Sequence, residues 1–242
     1  MTADAPTILA TSGGVRMSAR LRWEIAPLTE YAIDLAGVQG RPPKVCFLAT
    51  ACGDSPAVVS AFYDAAVLRG LQPSHVSLFP MPTVPDIRAH LLEQDVIWAW
   101  GGSVAGLLAM WDLHGVGEAM RAAWQAGVVL TGVSAGSICW HTGGTTDSFG
   151  PDLRPITNGL GLVPFSNGVH YDSEEQRRPL FQKLIAEGVL PSGYATDDGV
   201  GVLYRGTQFV EAVTEVDGKG AYFVERDAHG NAVETPLDTR RL

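Results

Sequence analysis

Cysteine is scarce in this 242-residue chain: Cys46, Cys52 and Cys139, with no C-x-x-C pair among them. An odd, dispersed set argues against a disulfide framework or a zinc site. Each lies in or beside an apolar run, where a free thiol behaves as a small buried hydrophobe. Charge is sparse too, at 18% of residues, with no run of five or six like charges and a balance of 17 − 26 = −9. No basic face is available to neutralise phosphates, so nucleic acid is not an expected partner. No stretch of about 18 consecutive apolar residues occurs, so no membrane span is expected. The start, MTADAPTILA, lacks the basic and apolar segments of a signal peptide. The expectation is a cytoplasmic protein. His-Glu-x-x-His and a P-loop with Lys-Ser/Thr are missing as well, so no metal and no organic cofactor is expected.

What the chain does have is a hydrophobic fraction of 46%, enough for one large α/β domain spanning residues 1–242. Short apolar runs at 6–10, 45–49, 75–79, 96–100 and 128–133 read as strands. Between them lie segments of helical period. Residues 23–36 place Ile25, Leu28, Ala32 and Leu35 on one face before Gly37, and 55–69 open on Ser55-Pro56 and close on Gly70. A third helix is expected at about 86–93. Strands alternating with helices predict a doubly wound, mostly parallel sheet with helices on both faces. After Glu187, β-type runs at 200–204, 209–213 and 221–225 are separated by turn signals, which predicts antiparallel β hairpins at the C-terminus. The apolar stretch GLLAMWDLHGV suits either the domain's own core or a twofold interface, so monomer and homodimer are both open.

Ligands bind outside the carboxyl ends of such strands. Two features fall there: Gly101-Gly102 after the fourth strand, and Gly132-Val133-Ser134-Ala135-Gly136 after the fifth. A sharp strand-to-helix turn with small residues on both sides would expose Ser134 as a nucleophile. A nucleophilic Ser needs a base, normally His, and the base needs an orienting carboxylate. The six His are His75, His90, His114, His141, His170 and His229. His75 starts a strand, His90 sits in a helical pattern, and His141 lies on the helix after Ser134, pointing away from the turn. His170 follows a loop rich in Gly, Pro and Asn. His229 occupies a hairpin-like turn, Asp227-Ala228-His229-Gly230. With His229, the order Ser134, Asp197 or Asp198, His229 is that of an α/β-hydrolase esterase. With His170 the order is Ser, His, Asp. A non-catalytic binding module on the same fold is a further reading.

With the second order the sequence resembles the S51 serine peptidases, which include aspartyl dipeptidase (peptidase E) and cyanophycinase. Four ordered pieces carry the resemblance: VIWAWGGSVAGLL, GVSAGS, SNGVHYDSEEQRRPLF and YATDDGVGVLYRG. It implies a fold similar to class I glutamine amidotransferases, with Ser in place of the elbow Cys. It also implies hydrolysis of a short peptide through an acyl-enzyme. Carried over, Ser134 is the nucleophile, His170 the general base and Asp198 the orienting carboxylate, with Asp197 its rival. Backbone N–H groups of Gly102 and Ala135 form the oxyanion hole. Gly101, Ser103, Glu174 and Arg177 are candidate substrate contacts. Three positions depart from the family pattern. Asp198 stands where Glu is usual, and Ser103 where Asn is common. Glu174 stands where aspartyl dipeptidases carry an Arg suited to a substrate Asp. Strict Asp-X specificity then depends on Arg177, Arg178 or Arg154 substituting.

Overall fold

The structure, a computed structural model, describes residues 3 and 5–242. Residues 1, 2 and 4, where the stretch read above as free of a signal peptide begins, lie outside the described residues. The N-terminal half runs Thr7–Thr11 (β1), Val15–Met17 (β2), Trp23–Ile25 (β3), Pro27–Asp34 (α1), Lys44–Leu48 (β4), Pro56–Leu68 (α2), Gln72–His75 (β5), Ile87–Leu92 (α3), Val96–Ala99 (β6), Val104–Leu113 (α4) and Val116–Gln125 (α5). Next come Val129–Val133 (β7), Ala135–Ile138 (α6), Gly143–Thr146 (β8), Arg154–Ile156 (β9), Ser166–Gly168 (β10), Arg177–Ala186 (α7) and Gly193–Thr196 (β11). The chain finishes with Val200–Arg205 (β12), Gln208–Thr214 (β13), Ala221–Arg226 (β14), Ala232–Leu237 (β15) and Thr239–Arg241 (β16).

The main sheet has the order β16-β13-β12-β1-β7-β6-β4-β5. Strands β1, β7, β6, β4 and β5 are parallel, whereas β12 runs antiparallel to both β1 and β13. Residues in register share a face and alternate along each strand. Ile8, Cys46, Ile97 and Leu130 pack with α3–α6, while Phe47, Trp98 and Val129 pack with α2, and Leu9 with α1. Burial on both faces explains why these strands read as unbroken apolar runs. Each such side chain stabilises the fold by about 1.5–3 kcal/mol.

Two boundaries differ from expectation. Residues 23–25 form β3 rather than the first helical turn, with Trp23 and Ile25 buried. Pro27 explains this, because the residue before proline avoids the helical region; Ala26 is extended (φ −108°, ψ 168°), and α1 starts at the proline. The third strand lies at 72–75, not 75–79. Beyond it the N–H groups of Leu78 and Phe79 donate to the Asp54 carboxylate (2.5 and 3.1 Å) instead of to a strand.

A second sheet, order β15-β14-β11-β10-β8-β9, packs one face on the main core and the other on α7. Its middle strands β8, β10 and β11 are parallel, and its outer pairs are antiparallel. Among the described residues, no helix is long and apolar enough to cross a membrane.

Candidate active site

Register brings the key segments together. Thr11 pairs with Val133 and Ala99 with Gly132, so β1, β7 and β6 end side by side. Antiparallel β12 starts where β1 ends, with Thr11 opposite Gly201, which brings Asp198 and Gly199 to the same edge. In the second sheet β10 and β11 are parallel, with Gly168 opposite Ala195. Residue 170 therefore leaves its strand beside residues 197 and 198.

Ser134 joins β7 to α6 with φ 56° and ψ −114°, a sparsely populated conformation that costs on the order of 1–3 kcal/mol. Backbone crowding imposes it. A Cβ at Gly132 would lie 2.1 Å from the Gly136 carbonyl oxygen, and a Cβ at Gly136 would lie 2.1 Å from that of Ala99. The Ser134 N–H donates to Thr11 O at 3.1 Å. Gly101 packs against this turn, since a Cβ there would come within 3.3 Å of the Ser134 Cβ. Gly102 has φ 135°, and a Cβ on it would sit 2.4 Å from Ala51 O, which also accepts the Ser103 N–H at 2.8 Å. Among the described hydrogen bonds, no acceptor takes the N–H of Gly102 or Ala135. The Ser103 hydroxyl caps α4 by accepting the Gly106 N–H at 3.1 Å.

His170 also has positive φ, 52°. Its Nδ1 lies 2.5 Å from Asp198 Oδ1. A carboxylate only accepts, so Nδ1–H donates, an arrangement that in the neutral imidazole puts the lone pair on Nε2. The Asp198 N–H in turn donates to Asp172 Oδ1 at 2.9 Å. Burial pushes the Asp172 carboxyl up, but Lys219 and the Asp198 N–H outweigh it and hold the group below its ordinary range. Asp197 faces elsewhere: its Oδ2 accepts the Gly220 N–H at 3.0 Å, and burial pushes its carboxyl up. Of the two adjacent carboxylates, Asp198 holds His170.

Among the described hydrogen bonds, none joins Ser134 Oγ to His170. The two are linked instead through Thr11 and Ser12, the first by the Ser134 N–H and the second by the His170 N–H, which donates to Ser12 Oγ at 3.2 Å. Hydrogen bonds to a catalytic base often close only when substrate binds. His229 is exposed in the β14–β15 turn, where its N–H donates to Asp227 Oδ1. His141 is fully buried, donating Nδ1–H to Ser137 O (2.9 Å) and accepting from Tyr204 (3.1 Å).

The arginines near His170 are largely occupied. Arg177 is 2% exposed, pairs with Glu174 at 2.7 Å, and donates to the Thr145 carbonyl. Arg178 pairs with Glu234 and lies over the rings of Tyr171 and Tyr222. Arg154 is exposed on β9 and makes no ion pair among the described residues. A cavity of about 480 Å³ lies against Asp147, Leu153, Glu174, Glu175 and Gln176, next to the turn in which the Glu174 N–H donates to His170 O. Among the described residues, no three His, Cys, Asp or Glu side chains converge as metal ligands.

Thr11, Ser12, Ala51 and Asp172 escaped the sequence reading. Only Thr11 and Ser12 carried a signal, being polar residues directly after a buried strand.

The sequence profile of peptidase family S51 matches residues 8–212. The chain is 41% identical over 200 residues, 83% of its length, to the uncharacterized peptidase YgaJ of Bacillus subtilis (strain 168), of which 85% is covered. In fold it is similar to a Listeria monocytogenes EGD-e protein provisionally assigned as a peptidase E (TM-score 0.61, 20% identity, 84% of this chain and 96% of that one). It is also similar to a peptidase from an acI-B1 Actinobacterium (TM-score 0.69, 15% identity, 97% and 95%).

Proposed function

The chain belongs to peptidase family S51 and is a serine-type peptidase, and on that premise we propose that it hydrolyses short peptides through Ser134, His170 and Asp198. The observation that carries this reading is the 2.5 Å bond from His170 to Asp198 at the strand ends where Ser134 is held at positive φ. Ser134 Oγ attacks the scissile carbonyl while His170 Nε2 takes its proton. Asp198 keeps the imidazole in the Nδ1–H tautomer and stabilises the imidazolium. The N–H groups of Gly102 and Ala135, which meet no acceptor among the described residues, receive the developing oxyanion; one such donor contributes about 3 kcal/mol of transition-state stabilisation. His170 then protonates the leaving amine, and water, deprotonated by the same imidazole, releases the acyl group. One α/β unit spanning the chain carries the reaction, with Ser134 from the main sheet and His170 from the second. An acidic chain with free cysteines fits a reducing, cytoplasmic compartment.

On the substrate side, Asp147, Glu174 and Glu175 line the cavity next to the turn that links His170 to Glu174, while Arg177 and Arg178 are held by Glu174 and Glu234. With both engaged, and with Arg154, exposed on β9, outside the residues that line this cavity, an acidic substrate side chain is disfavoured there. The test is turnover of a dipeptide and tripeptide library by the wild type and Ser134→Ala. Loss of all turnover in the variant is expected, with neutral or basic residues preferred to Asp at the cleaved bond. Wild-type rates in Ser134→Ala would overturn the mechanism, and a strict Asp preference would overturn the reading of the cavity.

A further inference from the structure

Ser12 lies between the two halves of the site and is 3% exposed. Its hydroxyl has three polar neighbours: the His170 N–H at 3.2 Å, Thr196 Oγ1 at 2.7 Å and the Thr196 carbonyl oxygen at 3.3 Å. An amide N–H can only donate, so Ser12 Oγ accepts from His170 and directs its single proton to Thr196. The next amide, Tyr171 N–H, donates to Thr196 O at 3.1 Å. Two consecutive peptide groups around His170 are thus fixed by Ser12 and Thr196, across a residue whose φ of 52° a β-carbon disfavours. The Ser12 main chain is anchored as well: its N–H donates to Val200 O (2.8 Å) and its carbonyl accepts the Gly199 N–H (2.9 Å). One residue back, Thr11 O takes the Ser134 N–H. Ser134, His170 and the Asp198–Gly199 turn all meet on residues 11 and 12.

We propose that Ser12 is a positioning residue of the hydrolytic site, its hydroxyl locking the His170 main chain in the left-handed conformation from which the imidazole serves both Asp198 and Ser134. The proposal rests on the assignment of Ser134, His170 and Asp198 given above. Ser12 acts through His170 and touches neither substrate nor the reacting atoms. Its loss therefore lowers kcat and leaves substrate binding nearly unchanged.

The test uses the full chain as Ser12→Ala, Ser12→Thr, Thr196→Val and the control Ser166→Ala. The control removes another buried hydroxyl, bonded to Pro191 O at 2.6 Å with no hydrogen bond to His170. For Ser12→Ala, kcat on the best library peptide should fall about 30-fold with KM within about threefold, the size of a slight misplacement of a reacting group. Ser12→Thr should recover to within about fivefold of wild type, and Ser166→Ala should keep kcat. The NMR signal of the His170 imidazole, assigned by its absence in His170→Ala, should move in Ser12→Ala and stay in place in Ser166→Ala. Should Ser12→Ala not fold, Thr196→Val takes its place with a smaller kcat loss and the same shifted signal. Wild-type kcat with an unmoved His170 signal overturns the proposal, as does an equal loss in Ser166→Ala. If Ser134→Ala keeps its turnover, the reaction assignment has failed instead. The His170 signal then decides the Ser12 contact by itself: moved upholds the clamp, unmoved overturns it.

Discussion

Around Ser134 the polypeptide is held by backbone against backbone: Gly132 against Gly136, Gly136 against Ala99, and Gly102 against Ala51, each at distances that leave no room for a Cβ. Around His170 it is held by side chains: Asp198 on the imidazole, Ser12 on the amide, Asp172 on the next carboxylate's N–H. Crowding of the first kind tolerates no added atom but needs no particular polar partner. Hydrogen bonding of the second kind tolerates changes of bulk at exposed positions but fails when one polar atom is lost. The two halves should break in different ways.

The largest expected effect is on the crowded half. Gly136→Ala forces a methyl onto the Ala99 carbonyl and should cost more than about 4 kcal/mol, measured by urea unfolding, with activity lost because the fold is lost. In the hydrogen-bonded half, Asp198→Asn should lower kcat/KM by about a thousandfold with little change in unfolding midpoint, since the Asp198 side chain is 45% exposed. Asp197→Asn separates the neighbours. Its carboxyl is buried and pushed up, so the neutral amide should keep kcat/KM within about threefold. Equal losses in the two variants would erase the distinction between the carboxylates.

Acid sharpens the contrast through His141, which anchors the helix after Ser134. Burial holds its imidazole down at about 4, against an ordinary 6.5, with the Ser137 carbonyl only partly opposing this. The unfolded chain therefore takes up the proton first. Stability from this group is complete above about pH 6.5 and is lost as pH falls toward 4, by about 3 kcal/mol in all. Unfolding curves at stepped pH should show that slope in the wild type and a flatter one in His141→Gln. The smallest effect belongs to Ser103, whose hydroxyl caps α4. Ser103→Ala should cost about 1 kcal/mol of stability by the same urea measurement.

The contrast also explains what could be read in advance. Small residues flanking a Ser after a buried strand report backbone crowding directly, so the Ser134 turn was legible from Gly132 and Gly136. Asp197 and Asp198 were not separable, because adjacent residues differ only in which way each side chain points. The contacts decide it: Asp198 Oδ1 takes the His170 Nδ1–H, whereas Asp197 Oδ2 takes the Gly220 N–H. Arg177 stood as a candidate substrate contact; its burial against Thr145, 32 positions earlier, is a long-range contact that no local pattern shows. Ser12 meets His170 across 158 positions, a contact that no local pattern encodes. The parallel sheet and its helices were legible because period and turn chemistry are local. The second sheet was not, because β8, β9 and β10 are only three or four residues long and carry no apolar alternation.

The measurement that bears most directly on the central claim is covalent labelling with a serine-directed fluorophosphonate, mapped by mass spectrometry and timed in the wild type, His170→Ala and His229→Ala. The account predicts a single adduct on Ser134, formed at the wild-type rate in His229→Ala and at least about a hundredfold more slowly in His170→Ala. An adduct on another residue, or a rate that follows His229 instead of His170, would contradict it.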